Sequence, residues 1–197
     1  MIIWVNGAFG AGKTQTAHEL KRRIPNSIIY DPEQVGYFIN KNIPKELTKG
    51  DFQHHEIWRE FNFKTLKYIH SHFNGTIIVP MTIVNPQYYE EIIGHLKDEG
   101  IDVHHFVLGA SKEILQKRLK SRFEKKNSWP EQQIERCLAG LAHPIFEGHI
   151  DTIDTNDLTI EQVAETIASK LHIQLLPDER SELQKRWERF VMRVKRV

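Results

Sequence analysis

Short apolar runs that alternate with helical patterns are the feature that most constrains the fold of this chain. Helical spacing of apolar residues follows or precedes each run, and the one break in the alternation, residues 123–149, is predicted to be an inserted helical or loop segment. Strands that alternate with helices form a parallel sheet covered on both faces. We therefore predict an α/β fold of three layers around a five-stranded parallel sheet. The predicted strands span residues 2–5, 27–30, 76–79, 103–108 and 150–153, and the predicted helices span residues 13–23, 51–72, 86–99, 111–122 and 159–171.

The length of 197 residues suits one domain with its own core. We predict a domain over residues 1–176 with a lid at about residues 122–140, and a separate C-terminal basic amphipathic helix within residues 177–197. A net charge of +1 gives no general attraction to nucleic acid, and no recognition module supports a nucleic-acid partner.

A glycine-rich loop joins the first strand to the first helix. Its eight residues match the phosphate-binding pattern G-x-x-x-x-G-K-[ST]. Glycines allow a tight turn whose N–H groups face an anion, and the following helix N-terminus adds a positive potential. We expect the lysine to bind the β- and γ-phosphates of ATP and the threonine hydroxyl to bind Mg²⁺. The loop consists of Gly7, Ala8, Phe9, Gly10, Ala11, Gly12, Lys13 and Thr14.

A carboxylate follows the second strand, where parallel sheets place ligand-binding groups. We predict that Asp31 orients or deprotonates an acceptor hydroxyl, with Glu33 close by; the alternative is that Asp31 only caps the next helix. The third strand ends without the aspartate of a Walker B motif. Thr82 follows this strand, either facing the acceptor or a metal-bound water, or serving as an ordinary strand-end residue.

Arginines on the segment after the fourth strand are candidates for nucleotide contacts. Arg118 and Arg122 share one helix face, and we expect one to stack on adenine and the other to reach phosphate. The alternative is a solvated basic face. Arg136 can reach phosphate from the lid, and Thr155 and Asn156 follow the fifth strand, where they would contact adenine.

Histidine and cysteine give weaker signals. The 11 histidines include adjacent pairs whose members point apart, and no H-E-x-x-H pattern is present, so we do not expect a metal-ligating role. The residues His54, His55, Trp58 and Arg59 would line an acceptor pocket or, for Trp58, pack in the core. The single Cys137 is predicted to be a packing residue and agrees with a reducing, cytoplasmic location.

The C-terminal segment 181–196 combines an apolar stripe with many basic residues. Leu183, Trp187, Phe190 and Val191 share one helix face. Such a helix suits the surface of an anionic membrane, in which case the protein would be peripheral at the inner face; the alternative is docking on the domain's own core.

Several segments together resemble a known family. The phosphate loop, the acid after strand two and the spacing Ala110-x-x-x-x-Leu115-x-x-x-Leu119-x-x-Arg122 are similar to the nucleoside and shikimate kinase group of P-loop proteins. More narrowly, the chain resembles the family of bacterial tunicamycin resistance proteins. The matching segments are residues 2–10, 30–33, 79–84, 126–129 and 144–147.

This resemblance implies an ATP-binding protein associated with resistance to a nucleoside antibiotic. We expect ATP-dependent phosphoryl transfer to a hydroxyl of a small nucleoside- or sugar-like molecule, for which Lys13, Asp31 and Arg122 are the candidate catalytic residues. The alternative is a protein that binds ATP and sequesters the drug at the membrane without phosphoryl transfer.

Overall fold

A five-stranded parallel sheet forms the centre of the molecule. The computed structural model describes residues 1–121, 128–146 and 150–194, without the side chains of the last three. The strand order is β2-β3-β1-β4-β5, and all pairings are parallel. The five strands are β1 (Ile2–Gly7), β2 (Ser27–Ile29), β3 (Thr76–Pro80), β4 (Val103–Gly109) and β5 (Asp151–Asp154).

Helices cover both faces of this sheet. A π-helical turn at Glu90–Gly94 joins two of them, and short 3₁₀ turns occur at Lys45–Leu47, Phe52–His54 and Pro144–Phe146. The helices are α1 (Lys13–Arg23), α2 (Pro32–Asn42), α3 (Glu56–His72), α4 (Pro86–Tyr89), α5 (His95–Asp98), α6 (Lys112–Lys120), α7 (Trp129–Gln132), α8 (Ile134–Leu141), α9 (Ile160–Lys170) and α10 (Glu182–Val194).

Alternate residues of the central strand β1 face two separate cores. Ile3 and Val5 pack with α1, α6, α8 and α9, whereas Ile2 and Trp4 pack with α2, α3 and the helical run 86–98. Both cores are fully enclosed, which explains why β1 is an unbroken apolar run rather than an alternating one. The predicted three-layer α/β fold with five parallel strands is confirmed.

One predicted helix boundary was wrong by several residues. The helix predicted over residues 51–72 begins at Glu56, because residues 52–54 form a 3₁₀ turn capped by the Asp51 side chain. The insertion that interrupts the βα alternation contains the short helices α7 and α8. In the part of the chain that the structure describes, no helix has both the length and the apolar character needed to cross a membrane.

The C-terminal helix α10 attaches to the domain through charged groups. Arg180 bonds the buried carboxylate of Glu19 on α1 at 2.7 Å, and Arg189 bonds Glu161 on α9 at 2.7 Å. The apolar side of α10 stays exposed, with Leu183 at 77% and Trp187 at 66%. The helix therefore docks on the domain by its polar side, whereas Leu183 and Trp187 remain exposed.

Candidate functional site

The phosphate loop lies between the end of β1 and the start of α1, at the carboxyl edge of the sheet. Gly7, Gly10 and Gly12 have φ values of 144°, 89° and 104°, a region that favours glycine. A Cβ atom on Gly7 would lie 2.8 Å from the Leu108 carbonyl oxygen, so no side chain fits there. The loop is thus wrapped closely against β4.

The N-terminus of α1 is left open toward this loop. The N-cap is Gly12, which has no capping side chain, and the first turn contains no acidic residue. The unpaired N–H groups and the helix dipole at such an end favour an anion. Lys13 begins the helix and is 8% exposed; its Nζ donates to the carbonyl oxygens of Gly7 and Ala8 at 2.9 and 3.2 Å. The lysine is therefore held inside the loop.

Two buried polar side chains form hydrogen bonds with the start of the phosphate loop. Asn6 Oδ1 accepts from the N–H groups of Gly7 and Ile83 at 2.7 and 3.0 Å, and Asn6 Nδ2 donates to the Ile83 carbonyl at 2.7 Å. Thr82 Oγ1 donates to the Gly7 carbonyl at 2.8 Å and is 5% exposed. Thr82 therefore joins the segment after β3 to the loop. Sequence reasoning missed Asn6, although an asparagine at the end of a buried strand is itself a signal.

Asp31 lies at the same edge of the sheet, after β2. It is the N-cap of α2, and its Oδ1 accepts from the Glu33 N–H at 3.1 Å. The start of α2 is fixed by Trp58, which is fully buried and donates from Nε1 to the Pro32 carbonyl at 3.0 Å. Trp58 is thus a packing residue, the second of its two sequence-based interpretations, and the capping role of Asp31 is present in the structure.

The candidates at the start of α3 are buried. Arg59 is 7% exposed, bonds Glu91 and stacks on the Tyr88 ring at 4.4 Å. His55 is 8% exposed, and its Nε2 has no hydrogen-bond partner among the described residues. Arg59 is therefore engaged within the fold by Glu91 and Tyr88.

The opposite side of the loop is bordered by the segment after β5. Arg118 donates from Nη1 to Thr155 Oγ1 at 3.1 Å and from Nη2 to the Thr155 carbonyl, while Asn156 Oδ1 accepts from the Ser111 N–H at 2.9 Å. A Cβ on Gly12 would lie 3.1 Å from Ile160 Cδ1, so the start of α9 is next to the loop. The structure therefore brings Arg118, Thr155 and Asn156 together beside the phosphate loop.

Helices α7 and α8 lie over the loop. The Phe9 and Trp129 rings meet edge to face at 5.2 Å, and Cys137 is fully buried. Burial raises the pKa of the Cys137 thiol, whereas the charges of Lys13 and Arg136 and a backbone hydrogen bond at Phe9 lower it. Cys137 is accordingly a packing residue against the loop, as its sequence context predicts. Of the predicted lid, residues 122–127 lie outside the described residues, and the candidate Arg122 is among them.

The protein offers few ligands for the predicted Mg²⁺. Thr14 supplies a hydroxyl in the first turn of α1, and β3 ends without a carboxylate. Among residues 1–121, 128–146 and 150–194, no three His, Cys, Asp or Glu side chains converge as a metal site. Mg²⁺ is commonly held by one or two protein ligands together with phosphates and water, and one hydroxyl fits that pattern.

Comparison with known proteins agrees with this geometry. Residues 2–144 match the family model described as an AAA domain. The structure of the tunicamycin resistance protein from Deinococcus radiodurans is similar at 35% identity, with a TM-score of 0.75, over 90% of this chain and 98% of that chain. No curated protein matches the chain.

Two further structures share the fold at low identity. A sugar kinase from Janibacter sp. HTCC2649 is 19% identical over 87% of this chain and 94% of its own, with a TM-score of 0.59. Shikimate kinase from Bacteroides thetaiotaomicron is 15% identical over 88% of this chain and 99% of its own, with a TM-score of 0.61. At these identities the likeness shows a P-loop kinase-like fold.

Proposed function

The chain belongs to the AAA domain family and to the family of the tunicamycin resistance protein, and from that premise we propose that it is an ATP-dependent phosphotransferase. Its acceptor would be a hydroxyl of a small nucleoside- or sugar-like molecule, with tunicamycin as the first candidate. The observation that carries the proposal is the open N-terminus of α1 with Lys13 inside the glycine loop, at the same sheet edge as Asp31.

The proposed reaction moves one phosphoryl group. The acceptor oxygen forms a bond to the γ-phosphorus while the bond from that phosphorus to the β–γ bridging oxygen breaks, and ADP leaves. Asp31 accepts the proton of the acceptor hydroxyl and later releases it to water. Lys13 and the loop N–H groups hold the phosphates, and Arg122 and Arg136 balance the charge that develops on the transferred group. Thr14 would hold Mg²⁺, which would supply neutralisation of the phosphate charge.

The base of the nucleotide has its own proposed contacts. Arg118, Thr155 and Asn156 form the border of the loop on the β5 side. In this arrangement the guanidinium of Arg118 would stack on adenine, while Thr155 and Asn156 offer polar atoms to its edge.

The proposal is tested by calorimetry and mass spectrometry on the same protein. Wild type is expected to bind Mg-ATP, and incubation with Mg-ATP and tunicamycin, or with a panel of nucleosides, is expected to yield a monophosphorylated product. Lys13→Met is the control and should lose both Mg-ATP binding and formation of the phosphorylated product. Tight retention of unchanged drug would support the alternative of ATP-dependent sequestration, and absence of nucleotide binding would overturn both.

We also propose that the exposed side of α10 binds an anionic membrane surface, so that the protein is peripheral to a membrane. Trp187 and Phe190 lie 5.9 Å apart on this side, and Arg186 is exposed beside them. Such aromatic and apolar side chains partition into the bilayer interface. Lys185 and Arg189 are engaged in ion pairs with Asp178 and Glu161. Burial of the apolar side chains would therefore contribute more to the membrane affinity than the attraction between charges.

A further inference from the structure

A partly buried ion pair joins α8 to the turn that precedes α3. Asp51 is 6% exposed, and its Oδ2 lies 2.9 Å from Nη2 of Arg136, a residue 85 positions away in the chain. The other oxygen, Oδ1, accepts from the Gln53 N–H at 3.0 Å. Both carboxylate oxygens are thus fixed, one by the main chain of its own turn and one by the guanidinium.

The side chain of Arg136 is more exposed than that of its partner Asp51. Its side chain is 44% exposed, and within the described part of the chain Asp51 is its hydrogen-bond partner, through Nη2 alone. A guanidinium has five N–H donors in a rigid plane. The Asp51 contact therefore restrains the guanidinium, and the other donors have no further protein partner among the described residues.

The helix that carries Arg136 also contacts the phosphate loop. The next residue, Cys137, is fully buried in the core that includes Ala8 and Ala11 of the loop. The charges of Lys13 and of Arg136 both act on the Cys137 thiol and lower its pKa against the effect of burial. Arg136 is accordingly the neighbour in sequence of a side chain that packs against the loop.

We propose that Asp51 is a positioning residue that holds Arg136 against the γ-phosphoryl group of ATP. This inference rests on the proposed function, because it presupposes ATP in the phosphate loop. A flexible arginine loses side-chain entropy when it binds phosphate, and a carboxylate that fixes the guanidinium beforehand reduces that cost. Since both Asp51 oxygens already accept hydrogen bonds, a positioning role fits them better than proton abstraction.

The competing explanation is that the ion pair only fastens α8 to the domain. The neighbouring residue offers a matched control, since Glu135 on the same helix pairs with Lys112 on α6 at the surface. Glu135→Gln removes an α8 ion pair without touching Arg136. Arg136→Lys keeps a cation beside Asp51 but removes the planar fork.

The experiment measures the affinities of Mg-ATP and Mg-ADP by calorimetry, since only ATP carries the γ-phosphate. Asp51→Asn is expected to reduce the preference for ATP over ADP by about tenfold, the effect of one charge-assisted hydrogen bond, with ADP affinity unchanged. Arg136→Lys should give a loss of similar size, and Glu135→Gln should give none. In a kinetic assay Asp51→Asn should lower kcat more than it raises the KM for ATP.

A charge-swapped variant separates positioning from fastening. Asp51→Arg with Arg136→Asp restores the ion pair but places a carboxylate where the guanidinium was. Positioning predicts that the ATP preference stays lost, whereas recovery of the wild-type preference would overturn the inference. An unchanged preference in both Asp51→Asn and Arg136→Lys would also overturn it. Wild type that binds neither nucleotide would instead overturn the proposed function, and the inference with it.

Discussion

The amide of Asn6 meets the imidazole of His105 in the interior, with Nδ2 3.1 Å from Nε2. Because an amide nitrogen only donates, Nε2 accepts and the imidazole proton resides on Nδ1. Nδ1 is buried without a partner among the described residues. The imidazole ring packs against the rings of Tyr89 and Phe146. This contact ties β4 to the residue that holds the start of the phosphate loop.

Removal of the Asn6 side chain should weaken both the fold and nucleotide binding. Asn6→Ala leaves the N–H groups of Gly7 and Ile83 buried without acceptors, each at a cost of roughly 1–3 kcal/mol. We expect the free energy of unfolding in urea to fall by about 2–4 kcal/mol and Mg-ATP affinity to fall as well. Asn42→Ala, which removes an exposed asparagine with one local bond, should change neither quantity.

Protonation of His105 should make the protein sensitive to mild acid. Burial lowers the pKa of His105 to about 3, and the charge of Lys97 acts in the same direction. Above pH 6.5 the imidazole is neutral in both the folded and unfolded states, whereas below it only the unfolded chain binds a proton. Stability from this residue is therefore lost as pH falls from 6.5 toward 3, by about 2 kcal/mol at pH 5.

The measurement for His105 is chemical denaturation at pH 7 and pH 5. His105→Gln keeps an acceptor for Asn6 but cannot be protonated, so its stability should depend less on pH than that of wild type. His104→Gln changes the adjacent, more exposed histidine and should behave like wild type. Equal pH dependence in all three proteins would contradict the prediction.

Asp31 can be tested for chemistry separately from capping. Asparagine caps a helix as well as aspartate does, so Asp31→Asn should retain the bond from the Glu33 N–H and the wild-type melting temperature. It cannot accept a proton, and we expect kcat for phosphoryl transfer to fall by about 10²–10⁴-fold. Glu33→Gln is the control. A fully active Asp31→Asn would leave only the capping role.

Arg180 should contribute strongly to stability. It bonds Glu19, Asp178 and Glu188, and the Glu19 side chain is only 4% exposed. Arg180→Ala removes the shared partner of three carboxylates, and we expect a loss of about 3 kcal/mol in the free energy of unfolding. The exposed pair of Lys64 and Glu60 is the control, since Lys64→Ala should cost less than about 0.5 kcal/mol.

The outer side of α10 should determine membrane binding. Flotation with vesicles that contain phosphatidylserine should recover wild type but not Trp187→Glu, because a carboxylate opposes insertion of the apolar stripe. Tyr68→Glu alters an equally exposed aromatic residue on α3, 64% accessible, and should still bind. Binding by Trp187→Glu, or its loss in Tyr68→Glu alone, would contradict the assignment to α10.

Local patterns allowed the sheet and the phosphate loop to be predicted from the sequence. Apart from the polar edge strand β5, the strands are short, mostly apolar runs with their own turn signals, and the loop is eight consecutive residues whose spacing indicates phosphate binding. Asn6 was missed because its importance depends on bonds to Ile83 and His105, which only the folded sheet brings near.

Contacts between segments that are distant in the chain could not be predicted from the sequence for the same reason. Nothing in the pattern around Asp51 indicates Arg136 as its partner, and the preceding residues predict a longer helix where a capped 3₁₀ turn occurs. The docking of α10 depends on Glu19, a single acid on the first helix that has no sequence signature.

The position of β1 in the sheet has a consequence for the kinetics of folding. β1 is the first strand of the chain but the central one in space, and its two neighbours are β3 and β4. It cannot gain both partners until the chain has been synthesised as far as Gly109. We expect the complete sheet to form slowly and late during translation, since pairings of such sequence separation close large loops.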